Sequence, residues 1–330
     1  MIVTRTPYRI SFFGGGTDYP GWYRQEGGVV ISTSIDKYCY INCRHLPPFF
    51  GHKYRIVYSA IENVMEPSEI QHPAVREVLK YMGCDKGLEI HHDGDLPARS
   101  GLGSSSSFTV GLLHALKAMS GTQISHDSLA KQAIHIEQNL IKESVGSQDQ
   151  VAAAYGGFNK IDFHCSGDFS VTPIILPEPR LRDLQDHLML FFTGFSRIAS
   201  EIAQSQIQNI SARHTELTEM MQMANEALSV LQATGSLDDF GALLHEGWCL
   251  KKSLSNRISN PDLDHIYEAA RAAGAIGGKL LGAGGGGFML FFVQPHLQGQ
   301  VLECLKDLIH VPFQFENTGS RVVLYQPNGF

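Results

Sequence analysis

The run Leu96-Pro97-Ala98-Arg99-Ser100-Gly101-Leu102-Gly103-Ser104-Ser105-Ser106-Ser107 runs straight into the apolar Phe108-Thr109-Val110-Gly111-Leu112-Leu113, and it constrains this chain more than any other stretch. Glycines let successive backbone amides turn into one concavity, and the hydroxyls that follow stand at the start of a helix. Amide donors joined to the positive end of a helix dipole form a cradle for an anion, a phosphate above all. The same residues also fit a flexible Gly/Ser connection, or a helix start with serine as N-cap. Leu88–His91 reads as a strand leading into the loop. Phe108–Met119 reads as the helix behind it, ending at Ser120-Gly121.

A second glycine cluster, Gly277-Gly278-Lys279-Leu280-Leu281-Gly282-Ala283-Gly284-Gly285-Gly286-Gly287, contains a literal G-x-G-x-x-G at Gly282, Gly284 and Gly287. A dinucleotide-binding turn needs a strand before those glycines and a helix after them. The pattern here predicts a helix over Pro261–Ala273 before the cluster and a strand over Phe288–Val293 after it, the reverse order. A phosphate loop of the Walker type fails as well, because Leu280 follows Lys279 and Ala273 stands where its first glycine belongs. The cluster is expected either to bring its backbone close to a ligand or to the first loop, or to make a tight helix-to-strand turn that needs glycine's positive φ.

Three carboxylates stand out. The spacing predicts a helix over Asp127–Glu143 with the apolar stripe Ala130, Ala133, Ile134, Leu140 and Ile141, and Glu137 falls inside that stripe. A carboxylate on a buried face is costly unless paired or bound to a metal, and magnesium held with phosphates takes one or two carboxylates. Glu137 is therefore a candidate Mg²⁺ ligand; a stripe edge where it reaches water or a lysine fits the spacing too. Asp149, in Gly146-Ser147-Gln148-Asp149-Gln150, opens a small-residue helix, where an acidic residue is often only a cap or dipole partner. Asp18 follows the triple glycine of Arg9-Ile10-Ser11-Phe12-Phe13-Gly14-Gly15-Gly16-Thr17-Asp18. It suits sugar hydroxyls, since an ionised carboxylate accepts two donors, and it suits an Asx cap equally.

Charge and composition narrow the partners. A formal net charge of -7 over 330 residues excludes a nucleic-acid or anionic-membrane surface, so phosphates must be drawn by local amides, a divalent cation and chosen basic residues. No apolar run has the length of a membrane span, and Met1-Ile2-Val3-Thr4-Arg5 opens no apolar signal core. The six cysteines lack a C-x-x-C pair and read as reduced, mostly packed thiols; a cytoplasmic location is expected. The fifteen histidines show no metal spacing. Short strands and turns over residues 1–60, helices clustered near Ser200–Thr234, Leu237–Leu254 and Pro261–Ala273, and no regular βα alternation predict an α+β fold. The composition change at Pro173–Pro179 places a domain boundary there, giving units 1–178 and 179–330.

Taken in order, Thr6–Tyr19, Pro97–Ser107 and Gly278–Phe288 resemble the three motifs of the galactokinase–homoserine kinase–mevalonate kinase–phosphomevalonate kinase superfamily, over essentially the whole chain. The resemblance implies a ribosomal-protein-like N-terminal domain, a ferredoxin-like C-terminal domain, and ATP with Mg²⁺ between them. Within the superfamily, Phe12–Asp18, Tyr54–Ser59, Gly146–Gln150 and Gly278–Gly284 are similar to the D-glycero-D-manno-heptose 7-phosphate kinases, which phosphorylate the anomeric hydroxyl to give a 1,7-bisphosphate. By position, Asp149 would be the catalytic base or orienting carboxylate with Arg9 as its charged neighbour. Pro97, Gly101, Leu102, Gly103, Ser104, Ser105 and Ser106 would line the nucleotide. Ser105 with Glu137 would hold the metal, Ser104 and Ser106 remaining alternatives. Gly15, Gly16, Thr17, Asp18, Gly284 and Gly285 would face the sugar.

Galactokinases carry Glu-His where Gly15-Gly16 stand here, and the lost side chains leave room for a larger sugar bearing a phosphate. Arg197, Lys251, Lys252 and Arg257 are the candidate cations for that phosphate, although solvated helix charges fit the lysines as well. A free-sugar 1-kinase of the L-fucokinase kind is the competing activity, and a non-catalytic sensor of ATP and sugar is a further alternative on the same fold. A monomer and a homo-oligomer are both compatible with the sequence.

Overall fold

Ile2–Phe13 alternates buried and half-buried residues at its start and is fully buried from Thr6 onward. The change has a physical cause: the first part has one covered face, whereas the second runs into the interior, touching helices Ser104–Met119, His214–Gln232 and Asp238–Ser253. The strand pairs antiparallel with the long strand Gly28–His45, Arg9 lying opposite Ser34. The computed structural model describes residues 1–98, 100–194 and 199–327.

Around this pair a sheet is built in the order Arg321–Tyr325, Ile2–Phe13, Gly28–His45, Leu88–Gly94, Tyr54–Val57, Ile61–Val64. Phe158–Phe163 continues it beside the first half of Gly28–His45. The pair Tyr54–Val57 with Leu88–Gly94 is parallel. Helix Ser104–Met119 lies across the two central strands, where Thr4 Oγ1 donates to the Gly111 carbonyl at 2.9 Å. A second, antiparallel sheet has the order Ile309–His310, Leu188–Phe192, Phe288–Val293, Ala275–Leu280, with helix Asp238–Ser253 against its last strand. The architecture is α+β, as the lack of regular alternation predicts.

Several expectations need correction. Residues Gly277–Lys279 belong to the strand Ala275–Leu280, so the glycine run is a hairpin turn between antiparallel strands and not a helix-to-strand turn. A strand does precede the glycines, yet no helix follows them, and a dinucleotide-binding turn stays excluded. The expected helix Asp127–Glu143 is an α-helix, His126–His135, followed by a π-helical turn, Ile136–Ile141, that ends at Lys142 with φ 62°. The expected helix near Ser200–Thr234 is broken into Ala199–Asn209 and His214–Gln232 by a 3₁₀ turn. Glu178–Asp186 is a helix that periodicity missed. The C-terminal strands Phe315–Glu316 and Arg321–Tyr325 return to the first sheet, so the division expected at residue 178 is crossed. Cys165, Cys249 and Cys304 are exposed, against the expectation of mostly packed thiols. Among the described residues no helix is long and apolar enough to cross a membrane.

The two sheets meet along an aromatic and polar seam. Phe240 stands edge-on to Phe12 and Phe13, with ring centroids 5.5 and 5.1 Å apart. Lys279, on the second sheet, donates its Nζ to the Phe12 carbonyl at 2.7 Å. Beside them the two glycine loops pack backbone on backbone. The Phe288 amide donates to the Ser100 carbonyl at 3.1 Å, and a Cβ on Gly282, φ 72°, would overlap Gly101. Of the two expectations for the second cluster, close approach to the first loop is the one realised.

Gly282→Ala adds a left-handed backbone cost to a backbone overlap that no side-chain movement relieves, and we expect a loss of at least about 2 kcal/mol. Urea denaturation checks it; an unchanged midpoint would show that the two loops separate without cost.

Candidate active site

The Ser104–Met119 helix starts at Gly103, whose φ of 75° turns the chain abruptly and leaves no capping side chain. First-turn amides have no acceptor inside a helix, so a start of this kind offers donors and a positive dipole end to an anion. Leu102 is buried below it, and the Ser100 hydroxyl donates to the Pro97 carbonyl at 2.7 Å, which folds the loop back on itself.

Two acidic groups reach this helix start from different segments. Arg9, 3% exposed, grips Asp149 with both prongs of its guanidinium: Nε to Oδ1 at 2.8 Å and Nη2 to Oδ2 at 2.9 Å. Its remaining Nη1 donates to the Gly101 carbonyl at 2.7 Å, and its backbone amide to the Leu102 carbonyl at 3.1 Å. Asp149 is thus aimed by a strand residue and does not serve as a cap. A methyl group at Gly103 would stand 3.4 Å from the Asp149 carboxylate, so glycine keeps the space between that carboxylate and the helix start open. About a quarter of the Asp149 side chain, 26%, is exposed, and its oxygens keep lone pairs for another donor.

Glu137 is completely buried. Its Oε2 accepts from Ser106 Oγ at 2.8 Å and from Gln150 Nε2, while Oε1 has no partner; Gln150 Oε1 is also buried without one. Burial pushes the Glu137 carboxyl up to about 7, with the nearby Thr109 and Ser106 hydroxyls and the Gln150 amide opposing the rise. Orphaned buried oxygens beside a phosphate cradle fit a hard divalent cation, whose attraction would keep the carboxylate charged. Among the described residues no cluster of three or more His, Cys, Asp or Glu could hold a metal alone, so phosphate oxygens would have to complete the shell. The serine beside Glu137 is Ser106. Ser105, the expected ligand, is exposed and makes no contact with Glu137 that the structure shows. A helix turns by about 100° per residue, so neighbouring serines face different ways.

The remaining expected residues divide. Asp18, 2% exposed, accepts the Gly16 amide on Oδ1 at 2.9 Å and the Gln148 amide on Oδ2 at 3.2 Å; burial, with the Asp149 charge nearby, pushes its carboxyl up. It fastens the glycine turn to the segment that carries Asp149. Gly15 faces Ser11 and Gln148, whose Oγ and Oε1 are buried without partners. Thr17 is structural, its hydroxyl donating to the Gly14 carbonyl at 2.7 Å. Gly284 packs against Ile258, and the Gly285 amide donates to the Ile258 carbonyl at 2.9 Å, so that amide is committed to the loop itself. Lys252 pairs with Asp264 at 3.1 Å and Arg257 lies 3.8 Å from Glu201, both at the surface. Arg197 lies outside the described residues. The lysine drawn into the seam is Lys251, donating to the carbonyls of Leu280 at 2.9 Å and Gly282. Gln148, Gln150 and Ser11 carried no sequence signal, because nothing in the spacing tells a buried amide from an exposed one.

Glu137→Gln removes a buried charge and keeps the shape. The melting temperature of the ligand-free protein should hold or rise. The variant should also lose the stabilisation by ATP with Mg²⁺, about 2.7 kcal/mol for the wild type at a hundredfold excess over Kd. Thermal shift with and without nucleotide measures both; a variant still stabilised as the wild type would exclude Glu137 from the metal.

The geometry agrees with what comparison with known proteins finds. A model of the GHMP kinases N terminal domain matches residues 68–157, and one of the GHMP kinases C terminal region matches residues 223–309, together more than half of the chain. D-glycero-alpha-D-manno-heptose 7-phosphate kinase of Campylobacter jejuni is 29% identical over 92% of this chain and 93% of its own length. The bifunctional fucokinase/GDP-fucose pyrophosphorylase of Arabidopsis thaliana is 26% identical over 87% of this chain, which spans 29% of that longer protein. The crystal structure of a D-glycero-D-manno-heptose 1-phosphate kinase from Bacteroides thetaiotaomicron shares the fold, with a TM-score of 0.77 at 24% identity over 98% of both chains. An anion cradle at a helix start, an aimed carboxylate beside it and two matching family models lead to one assignment: the chain belongs to the GHMP kinases, phosphotransferases with an alcohol group as acceptor.

Proposed function

We propose that the protein transfers the γ-phosphoryl group of ATP to the anomeric hydroxyl of D-glycero-D-manno-heptose 7-phosphate, giving the 1,7-bisphosphate. The observation that carries the proposal is the Arg9–Asp149 pair standing against Gly103, the residue that opens the phosphate cradle. Likeness over nearly the whole length to a heptose 7-phosphate kinase supports the acceptor. So does the Gly15-Gly16 turn, which leaves space where a bulkier pair would close it.

The chemistry asks for positioning and charge neutralisation more than for covalent help. In our reading the nucleotide phosphates lie on the first-turn amides of Ser104–Met119. Magnesium held by Glu137 with Ser106 would supply charge neutralisation at the phosphate oxygens. Asp149 accepts the proton of the acceptor hydroxyl as its oxygen forms the new bond to the γ-phosphorus. The bond from that phosphorus to the bridging oxygen breaks, and ADP leaves with the electron pair. Arg9 holds the carboxylate in line while this happens, its fork fixing the plane of both oxygens. Asp18 sets the glycine turn against Gln148 and keeps lone pairs for a sugar hydroxyl. A free-sugar 1-kinase is the second reading, favoured by the likeness to fucokinase-containing proteins.

Asp149→Asn keeps the shape and removes the base, so kcat should fall by about 100- to 10,000-fold. Turnover close to wild type would reject the assignment. ADP release over a panel of heptose 7-phosphate, free heptose and L-fucose separates the acceptors, the first being expected to give the highest kcat/KM. Phosphorus NMR of the product should show a phosphate on the anomeric carbon; a phosphate on any other carbon would overturn the reaction proposed.

A further inference from the structure

Lys251 is 7% exposed and lies where the Asp238–Ser253 helix meets the hairpin turn at Gly282. An ammonium has three donors. Here Nζ gives one to the Leu280 carbonyl and one to the Gly282 carbonyl, and the third has no partner among the described residues. The charged groups that act on it come from several elements: Arg9 on the first strand, Asp18 after the glycine turn, and Lys279 on the neighbouring strand. Asp18 attracts it without forming a direct ion pair. Lys279 is committed elsewhere, to the Phe12 carbonyl. A buried cation with a donor to spare, bonded to the turn that packs against Gly101 of the first glycine loop, has the chemistry to take an oxyanion there.

We propose that Lys251 binds a phosphate oxygen beside the Gly282 turn, where that turn meets the first glycine loop, through the donor its two carbonyl bonds leave over. The proposal rests on the kinase reading above. The oxygen has two possible sources, the ester phosphate carried by the acceptor and the phosphoryl group in transfer.

A consequence follows for pH. Burial and the Arg9 charge bring the Lys251 amine down to about 7, and Asp18 only partly offsets them. Below that pH the site is cationic and ready for an oxyanion; above it the amine is neutral and the attraction is lost. An oxyanion that binds must draw a proton in. The wild-type kcat/KM should therefore fall above about pH 7, approaching tenfold per unit for loss of one essential proton. Burial, with the Asp149 charge nearby, pushes Asp18 up from the ordinary carboxylate range. Burial, with the Lys251 and Arg9 charges, pushes Lys279 well down from its ordinary value.

The test is kcat/KM from pH 6 to pH 9 for wild type and Lys251→Met, with whichever sugar of the acceptor panel reacts fastest. That choice means a different acceptor overturns the substrate proposed above and leaves the lysine under test. At pH 6 Lys251→Met should be about 100-fold below wild type, and the two should converge to within a few-fold at pH 9, where the wild-type amine is already neutral. A purely structural lysine gives a pH-independent deficit, which would overturn the proposal. Lys251→Arg keeps a cation that does not titrate and should flatten the alkaline limb, which keeps the test available if the methionine variant fails to fold. Lys279→Met should retain the limb; if the limb disappears there and survives in Lys251→Met, the assignment is wrong. A loss confined to KM for the phosphorylated acceptor, and absent for its unphosphorylated counterpart, identifies the ester phosphate. A loss in kcat with both identifies the group in transfer.

Discussion

One guanidinium joins the parts that the chemistry needs. Arg9 sits in the central strand, yet its side chain and amide bond to two other segments: Asp149 at the start of a helix, and the Gly101 and Leu102 carbonyls of the first glycine loop. A planar fork with fixed donor directions can satisfy a carboxylate and a carbonyl together, which a lysine in its place could not do. Because it is buried, any shift of the loop or of the Asp149 helix would strand a charge away from water. That penalty, several kcal/mol for a lone buried ion, gives the site its rigidity.

The same economy of space explains the glycines. The loop at Gly101 and the turn at Gly282 touch through main-chain atoms, and the Phe288 amide bonds to Ser100 across the contact. Side chains there would hold the two sheets apart and open the nucleotide loop. Around this contact the protein gathers Arg9, Lys251 and Lys279 against Asp18 and Asp149. A chain with a net charge of -7 thus gathers three basic side chains beside the first glycine loop, burial drawing both lysines down from their ordinary values. Local groups and not the overall field do the attracting, as the composition requires.

The cradle sequence at Gly101–Ser107 and the misplaced carboxylate Glu137 were legible from residue order alone, whereas Arg9 and Asp149 were singled out only through the resemblance to the family. Glu137 was legible because a charge in an apolar stripe contradicts its surroundings. What spacing could not show was that this helix changes to a π turn at Ile136, which alters the direction of each later side chain. That Ser106 is the serine bonded to Glu137 also needed the tertiary structure. Lys251 and Lys252 are adjacent and chemically identical on paper, yet one is sealed in the seam and the other pairs with Asp264 at the surface. The short strands at the C-terminus could not be assigned to the first sheet, because their partners lie some three hundred residues earlier.

Sequence by itself determined the α+β class, the two glycine loops, the family and the kinds of side chain available to a phosphate. These rest on local rules: period, capping, and the conformations open to glycine. Tertiary structure alone decided which serine meets Glu137, which lysine is buried in the seam, and that the second glycine run is a hairpin resting on the first loop. Those outcomes depend on contacts between residues far apart in the chain, where burial and the geometry of each donor, not spacing, select the partner.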